Sequence, residues 1–203
     1  QRQMCIRDSL STDNITIRNN TFSNMYVTAP NGKKVYDYVI SLHSFKNAKI
    51  EDNIINNAGS AVLCAYDENS TINNNQMEAL DWSAIVLTKH SKGNTIKDNT
   101  LSDVARYGIS VTNGSNVAAF SENIMRAGAK KVSMLNAITV NGADSYIASV
   151  LNNHISNCSK FGISLLNVKK AGDIIGNDLT SCAKGAICIA GSNCNKVSDN
   201  HVV

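Results

Sequence analysis

The sequence is poor in proline, in aromatic residues and in net charge. Proline occurs once in 203 residues and aromatic residues make up 5% of the chain, whereas the apolar fraction is 43%. This composition excludes a disordered, collagen-like or mucin-like chain. No run of about 18 apolar residues occurs, so we predict no membrane insertion. The net charge of +3 is too small to indicate a nucleic-acid partner.

The first residues lack any pattern found later in the chain. Residues 1–9 (QRQMCIRDS) contain no apolar region after the arginines, so they are not a signal peptide. We expect residues 1–10 to be a non-native or unstructured leader and residues 11–203 to form a single domain. Because the last residues, SDNHVV, stop inside a repeating pattern, we also expect this domain to be a fragment of a longer protein.

Asparagine is abundant, and eight asparagines recur in one sequence context. An apolar residue lies three positions before each of them and another lies two positions after. The residue directly before each is Asn, Asp, Glu or Gly, and successive members are 33, 22, 24, 24, 30, 24 and 23 residues apart. The eight asparagines are Asn20, Asn53, Asn75, Asn99, Asn123, Asn153, Asn177 and Asn200.

Between these asparagines, each repeat contains a segment with apolar residues at alternate positions. YGISV (107–111) and FGISL (161–165) are the clearest copies. Alternation at period two predicts strands, and a repeat of about 23 residues with tight turns predicts a parallel β-solenoid. A leucine-rich α/β repeat is disfavoured because no part of the repeat has helical periodicity.

We predict that the eight asparagines stack in one column at a corner of the solenoid. Asparagine tolerates the left-handed backbone region that a sharp corner needs. Side-chain amides stacked at the inter-strand spacing can also hydrogen-bond to one another as a ladder. Four acidic residues directly precede ladder asparagines, and we interpret them as turn-formers: Asp52, Asp98, Glu122 and Asp199.

The cysteines form no metal-binding motif. No Cys-x-x-Cys spacing occurs, so we predict no zinc site. Cys158 and Cys182 each lie five residues after a ladder asparagine, at a position that is mostly apolar in the other repeats. We therefore expect free thiols that are buried as small hydrophobic residues.

Together these patterns resemble the right-handed parallel β-helix of the pectate-lyase-like superfamily. The copies NTIKDNTL (94–101) and DIIGNDL (173–179), combined with the GIS strands, carry the resemblance. It implies an all-β fold, a three-sheet right-handed parallel β-helix of about eight coils with an asparagine ladder at the second turn. The superfamily includes polysaccharide lyases and hydrolases, phage tailspikes and surface adhesins, which implies a bacterial protein that is extracellular or on the cell surface.

Variation in length is concentrated at the corner between the third and first sheets. Two insertions, 23–38 and 126–136, lie there, and such variation marks the functional edge of a scaffold. The same corner is basic and aromatic, which suits an acidic sugar polymer, because rings stack on sugar faces and cations pair with carboxylates. The predicted substrate-binding residues are Tyr38, Trp82, Arg106, Tyr107, Lys130, Lys131 and Lys160.

The resemblance also indicates where catalytic groups would lie, on the outer face of the first sheet. That face contains no carboxylate and one titratable group, His43. The aspartates that hold calcium in pectate lyases and the aspartate trio of polygalacturonases have no counterpart. We therefore predict no cofactor, and a calcium ion stays open as an alternative that no aspartate cluster supports. The remaining catalytic candidates are Arg106, Tyr107 and His43. If the domain is an enzyme, a polysaccharide lyase is favoured over a glycoside hydrolase, which needs two carboxylates.

Two functions remain open from the sequence. The first is an exported β-helix domain that binds an anionic, uronate-type polysaccharide at the corner between the third and first sheets, with cleavage undecided. The alternative is a non-catalytic structural or adhesin segment of a large bacterial surface protein. The sequence does not indicate an oligomeric state.

Overall fold

The computed structural model describes residues 4–6, 13–28, 30–32, 34–35, 37–127 and 134–203. Within these ranges the chain forms 26 short strands, numbered β1 to β26 in chain order, and no α-helix. Twenty-four strands form three parallel sheets of eight, because each strand pairs with its counterparts in the preceding and following coils. The structure confirms the predicted three-sheet solenoid.

Each coil contributes one strand to each sheet, in the same order along the chain. The first sheet contains β1 (Met4–Ile6), β6 (Tyr38–His43), β9 (Ser60–Ala65), β12 (Ser83–Thr88), β15 (Tyr107–Val111), β18 (Asn136–Asn141), β21 (Phe161–Leu166) and β24 (Gly185–Ala190). The second contains β2 (Thr16–Arg18), β7 (Lys49–Glu51), β10 (Thr71–Asn73), β13 (Asn94–Lys97), β16 (Asn116–Ser121), β19 (Tyr146–Leu151), β22 (Lys170–Ile175) and β25 (Cys194–Ser198). The third contains β3 (Thr21–Met25), β8 (Ile54–Ala58), β11 (Gln76–Leu80), β14 (Thr100–Val104), β17 (Ile124–Arg126), β20 (His154–Ser156), β23 (Asp178–Thr180) and β26 (His201–Val202).

The core consists of columns of aliphatic residues that stack from coil to coil. In the first sheet, the strand register stacks one inward-facing aliphatic residue of each strand on the equivalent residue of the next strand. Six successive residues of this column are at most 1% exposed. Aligned burial of this kind, through the hydrophobic effect, is the main stabilisation available to a solenoid. The six are Ile40, Val62, Ile85, Ile109, Ile138 and Ile163.

The asparagine ladder lies at the corner between the second and third sheets. Each of the first seven asparagines donates both its backbone N–H and its Nδ2–H to Oδ1 of the next one, at 2.9–3.1 Å. The six internal members, from Asn53 to Asn177, are at most 1% exposed. The predicted ladder is therefore confirmed.

One detail of the prediction was wrong, because the ladder asparagines do not make the turn themselves. The left-handed backbone lies at the residue directly before each of them, including Asp98 with φ of 56° and Gly176 with φ of 69°. The ladder residue instead directs its backbone N–H and its side-chain amide toward the ladder asparagine of the next coil. The interpretation of Asp52, Asp98, Glu122 and Asp199 as turn-formers is confirmed, since all four have positive φ.

The leader and the first insertion both contain strands. Met4–Ile6 pairs in parallel with β6, with Met4 beside Ile40 and Ile6 beside Leu42, so these three residues are not unstructured. Their apolar–x–apolar pattern matches that of the other first-sheet strands, which explains the pairing. In the first insertion, β4 (Val27–Thr28) and β5 (Lys34–Val35) form a two-stranded antiparallel ribbon.

Candidate functional site

The corner between the third and first sheets is called the loop corner here. In the coil that contains β11 and β12 it is a two-residue connection, Asp81–Trp82, and in the following coil it is Ala105–Arg106. The backbone N–H of Arg106 donates to the carbonyl of Trp82 at 2.8 Å, and that of Trp82 donates to Gly59 at 2.9 Å. These bonds run from coil to coil, so they stack Arg106 directly above Trp82.

Arg106 lies between two aromatic rings. Its guanidinium carbon is 4.0 Å from the centre of the Trp82 ring and 5.2 Å from the centre of the Tyr107 ring. Trp82 is 36% exposed, and both Arg106 and Tyr107 are half-buried. Cation–π attraction at these distances holds the guanidinium in place while leaving part of it accessible to solvent.

Arg106 forms no ion pair with a carboxylate among the residues that the structure describes. Across the described parts of the chain, every ion pair involves other residues. A guanidinium is itself planar, and a carboxylate can accept two of its N–H hydrogen bonds at once. The arrangement can therefore bind an anionic group that approaches from solvent.

Tyr38 lies further along the same corner, three coils before Tyr107. It begins β6 and lies in the same register column as Tyr107, separated from it by the buried serines Ser60 and Ser83. Burial raises the pKa of Tyr38; Asp37 adds to this increase, and the positive charge of Arg106 opposes it. Tyr38 therefore carries a neutral hydroxyl group at neutral pH, within the electrostatic reach of Arg106.

Lys160 lies further along the loop corner. Leu135 donates its N–H to the carbonyl of Arg106 at 2.8 Å, and Lys160 donates to Leu135 at 2.9 Å, which places Lys160 two coils from Arg106. Lys184 follows one coil later through a 2.9 Å bond to the carbonyl of Lys160, and both lysines are exposed. Two further predicted residues, Lys130 and Lys131, lie outside the described residues.

His43 is separated from this cluster. It ends β6, whereas Tyr38 begins it, so the two residues are about 16 Å apart along the strand. Its Nε2 lies 3.1 Å from the hydroxyl oxygen of the buried Ser41. The structure thus brings Trp82, Arg106 and Tyr107 together. It places Tyr38 three coils away in the Tyr107 column and His43 at the other end of the first-sheet strands.

Sequence reasoning missed a cleft at the corner between the first and second sheets. It has a volume of about 570 Å³, and its lining includes His90, Thr112, Asn141 and Asp144. The sequence indicates the turns around it through the two Asn-Gly pairs 113–114 and 141–142. The length of this corner is nearly constant from coil to coil, so length variation did not mark it as a functional edge. Its titratable and amide groups could hydrogen-bond a polar ligand.

A second cleft that sequence reasoning missed lies on the outer face of the second sheet. It has a volume of about 440 Å³ and is lined by Tyr146, Lys170, Gly172 and Asp173, among others. Lys170 lies 5.8 Å from the ring centre of Tyr146. Gly172 is needed here, because an added Cβ would lie 1.8 Å from the carbonyl oxygen of Ala148. No sequence signal distinguished this cleft, since it depends on how neighbouring strands approach one another.

On the third sheet, Asp178 lies between two histidines of the neighbouring coils. Its carboxylate oxygens are 3.0 Å from Nδ1 of His201 and 3.5 Å from Nδ1 of His154, and the bond to His201 is the main reason that the pKa of Asp178 is lowered. Over the described residues, no group of three or more His, Cys, Asp or Glu side chains is arranged to hold a metal ion. In the same part of the chain, no helix has the length and apolarity needed to span a membrane.

Comparison with known proteins identifies the family. The family model described as a right-handed β-helix region matches residues 5–202. The chain therefore belongs to the right-handed β-helix family, in agreement with the predicted handedness. No sequence among the curated proteins matches the chain.

Solved structures share the fold at low sequence identity. A double mutant of the periplasmic alginate epimerase AlgG matches 95% of this chain with a TM-score of 0.71 and 15% identity. DFA-IIIase from Arthrobacter chlorophenolicus A6 without its lid matches 98% with a TM-score of 0.56 and 12% identity. The chain spans 46% of the epimerase and 69% of the DFA-IIIase.

Proposed function

We propose that this β-helix domain binds an anionic, uronate-type polysaccharide along the loop corner. The observation that carries the proposal is the guanidinium of Arg106, which lies over the rings of Trp82 and Tyr107 and forms no ion pair with a described residue. A uronate unit offers a carboxylate for the guanidinium and a C–H face for an aromatic ring. Both groups that such a unit needs are therefore present within one small cluster.

The neighbouring coils extend this cluster into a linear binding edge. Lys160 and Lys184 lie on successive coils of the same corner, so their charges follow one another along the solenoid axis. A polymer that lies parallel to the axis would place successive carboxylates beside successive cations. Lys130 and Lys131 belong to the insertion of the coil between Arg106 and Lys160, and we include them in the proposed edge.

A carbohydrate ligand is also consistent with the proteins that share the fold. One structural neighbour is named an alginate epimerase, and alginate is a polymer of uronic acids. That epimerase is periplasmic, which agrees with our proposal that this domain acts outside the cytoplasm. This agreement makes alginate the first polymer to test.

Cleavage would require an acid and a base near the bound uronate. Tyr107 and Arg106 are the candidates at the loop corner, since a tyrosine hydroxyl can transfer a proton and a guanidinium can neutralise the carboxylate. His43 is too distant to act with them on one sugar unit. The proposal therefore assigns binding to the cluster, and any cleavage would follow a lyase mechanism that uses Arg106 and Tyr107.

The experiment measures binding and cleavage in parallel. The protein is incubated with alginate, polygalacturonate and a neutral polymer, and the absorbance of an unsaturated sugar product is followed. Retardation of the protein is measured in native gels that contain each polymer. We expect retardation by the uronate polymers and not by the neutral one, with the polymer that is bound identifying the sugar class.

Matched variants locate the binding surface. Lys130→Ala combined with Lys131→Ala should weaken retardation and reduce its salt dependence, because fewer ion pairs remain to be screened. Lys49→Ala combined with Lys97→Ala removes two exposed lysines of the second sheet and should have little effect. Equal losses in the two pairs would contradict a defined edge. No retardation by any acidic polymer at low salt would favour the structural or adhesin segment instead.

A further inference from the structure

Cys158 and Cys182 occupy equivalent positions on neighbouring coils. The last register pair of β20 and β23 is Ser156 with Thr180, and each cysteine lies two residues further along its chain segment. Ala183 donates its N–H to the carbonyl of Cys158 at 2.8 Å, so the two segments remain side by side beyond the strands. Their register places the two Cα atoms one inter-strand spacing apart, about 4.8 Å.

This spacing suits a disulfide bond, although both residues are free thiols in the structure. Disulfides join residues whose Cα atoms are about 4.4–6.8 Å apart. The Cys182 sulfur lies 3.8 Å from the carbonyl oxygen of Thr180 and close to Gly162, where an added Cβ would be 3.2 Å from it. The backbone spacing and register of the two cysteines therefore meet the first requirement for a disulfide.

The two thiols differ in a way that separates their chemical roles. Cys158 is 1% exposed, whereas Cys182 is half-buried. Interaction with the neighbouring Cys158 thiol lowers the pKa of Cys182 to about 7, and the same interaction together with burial raises the pKa of Cys158. Cys182 is thus the more accessible thiol and ionises first, whereas Cys158 is the buried second thiol of the pair.

We propose that Cys158 and Cys182 form a reversible disulfide that fastens two neighbouring coils at the loop corner. The oxidant is a low-molecular-weight disulfide of the glutathione type. The Cys182 thiolate attacks one of its sulfurs and releases one thiolate, which leaves a mixed disulfide on Cys182. Cys158 then loses its proton and attacks the Cys182 sulfur, which releases the second thiolate. The protein loses two electrons and two protons, and the small disulfide is reduced to two thiols.

The bond would lie directly beside the proposed binding edge. Lys160 and Lys184 follow the two cysteines by two residues each, and the carbonyl of Lys160 accepts the N–H of Lys184. A bond between the sulfurs would fix the spacing of these two lysines. The chemistry itself does not depend on polysaccharide binding, so the disulfide can be tested separately.

The test uses the folded, unmodified chain and glutathione mixtures of increasing oxidised fraction at about pH 7. After an acid quench, remaining thiols are alkylated and the protein is digested with trypsin. Lysines at 131, 160, 170 and 184 place Cys158 on peptide 132–160 and Cys182 on peptide 171–184, while Cys188 and Cys194 share peptide 185–196. We expect a linked 132–160/171–184 pair that disappears on reduction.

Two further measurements distinguish this pair from adventitious oxidation. In the unmodified protein, an alkylating reagent should modify Cys182 about five- to tenfold faster than the half-buried Cys188, because more of it is thiolate. In Cys158→Ser, Cys182 should stop at the mixed disulfide with glutathione. A linked pair that involves peptide 185–196 instead, or equal alkylation rates for Cys182 and Cys188, would overturn the proposal.

Discussion

The ladder corner and the loop corner differ in how the backbone groups are hydrogen-bonded where the chain turns from one sheet to the next. At the ladder corner, between the second and third sheets, side chains hydrogen-bond to backbone groups. For example, Nδ2 of Asn99 donates to the carbonyls of Ile72 and Lys97. At the loop corner, backbone groups bond directly from coil to coil, as Arg106 does to Trp82. The side chains of Trp82 and Arg106 are therefore not needed to close the coil at this point of the loop corner.

The largest expected effect comes from removing a ladder rung. Asn99→Ala should lower the free energy of unfolding by about 3 kcal/mol, because buried polar groups of Asn75 and Asn123 lose their partner. Urea unfolding followed by circular dichroism measures the change. Lys97→Ala, two residues away, removes only an exposed ion pair with Asp98 at 3.6 Å and should cost less than about 0.5 kcal/mol. Equal shifts in the two variants would be incompatible with the ladder.

A shorter polar ladder at the corner between the first and second sheets gives the next effect. The backbone N–H of Phe45 donates to Oδ1 of Asp67 at 2.9 Å, and the backbone N–H of Asp67 donates to the hydroxyl oxygen of Ser91 at 3.2 Å. Asp67 is fully buried, and burial raises its pKa to about 6. The folded state therefore holds a proton that the unfolded state releases at lower pH, so stability should fall as the pH rises from about 4 to above 6.

Asp67→Asn should remove this pH dependence. The amide oxygen can still accept the Phe45 N–H, and no buried charge forms at neutral pH. We expect the variant to be about 2 kcal/mol more stable than the parent at neutral pH and nearly equal to it near pH 4. Thermal or urea unfolding at both pH values measures the difference. A variant that is less stable at neutral pH would show that the Asp67 carboxylate is stabilising.

A smaller effect separates the turn position from the ladder position. Asp98→Val should cost about 1–2 kcal/mol, because a β-branched residue is strained at the positive φ of this turn. Asp98→Asn should be nearly neutral, since asparagine occupies the equivalent turn at Asn74. If Asp98→Val were tolerated as well as Asp98→Asn, the turn would not depend on the residue before the ladder.

The smallest expected change in stability is at the loop corner. Lys160→Ala should alter the free energy of unfolding by less than about 0.5 kcal/mol, because the side chain is exposed and the corner is closed by backbone bonds. The same variant should weaken retardation by a uronate polymer several-fold at low salt. A large loss of stability would mean that this lysine is structural.

The fold could be predicted in detail because a repeat shows the same constraint many times. The ladder asparagines and the aliphatic columns recur in every coil, so their pattern exceeds what a single strand would show. The roles of Asn99 and Asp98 at the turn could not be separated, because both residue types adopt left-handed backbone readily. The candidate residues were predicted to share one corner, but the stacking of Arg106 on Trp82 depends on contacts between coils that the sequence does not show. The separation of His43 follows from its place at the far end of β6, which only the strand bounds establish.

The most direct test of the proposed site uses its own tryptophan. Trp82 is the single tryptophan of the chain, and it lies 4.0 Å from the guanidinium of Arg106. Titration with uronate oligosaccharides should change its fluorescence in a saturable way, whereas neutral oligosaccharides should not. Arg106→Ala should abolish the response while the protein remains folded by circular dichroism. Retardation by uronate polymers without any change in Trp82 fluorescence would contradict the account, because the polymer would then bind elsewhere.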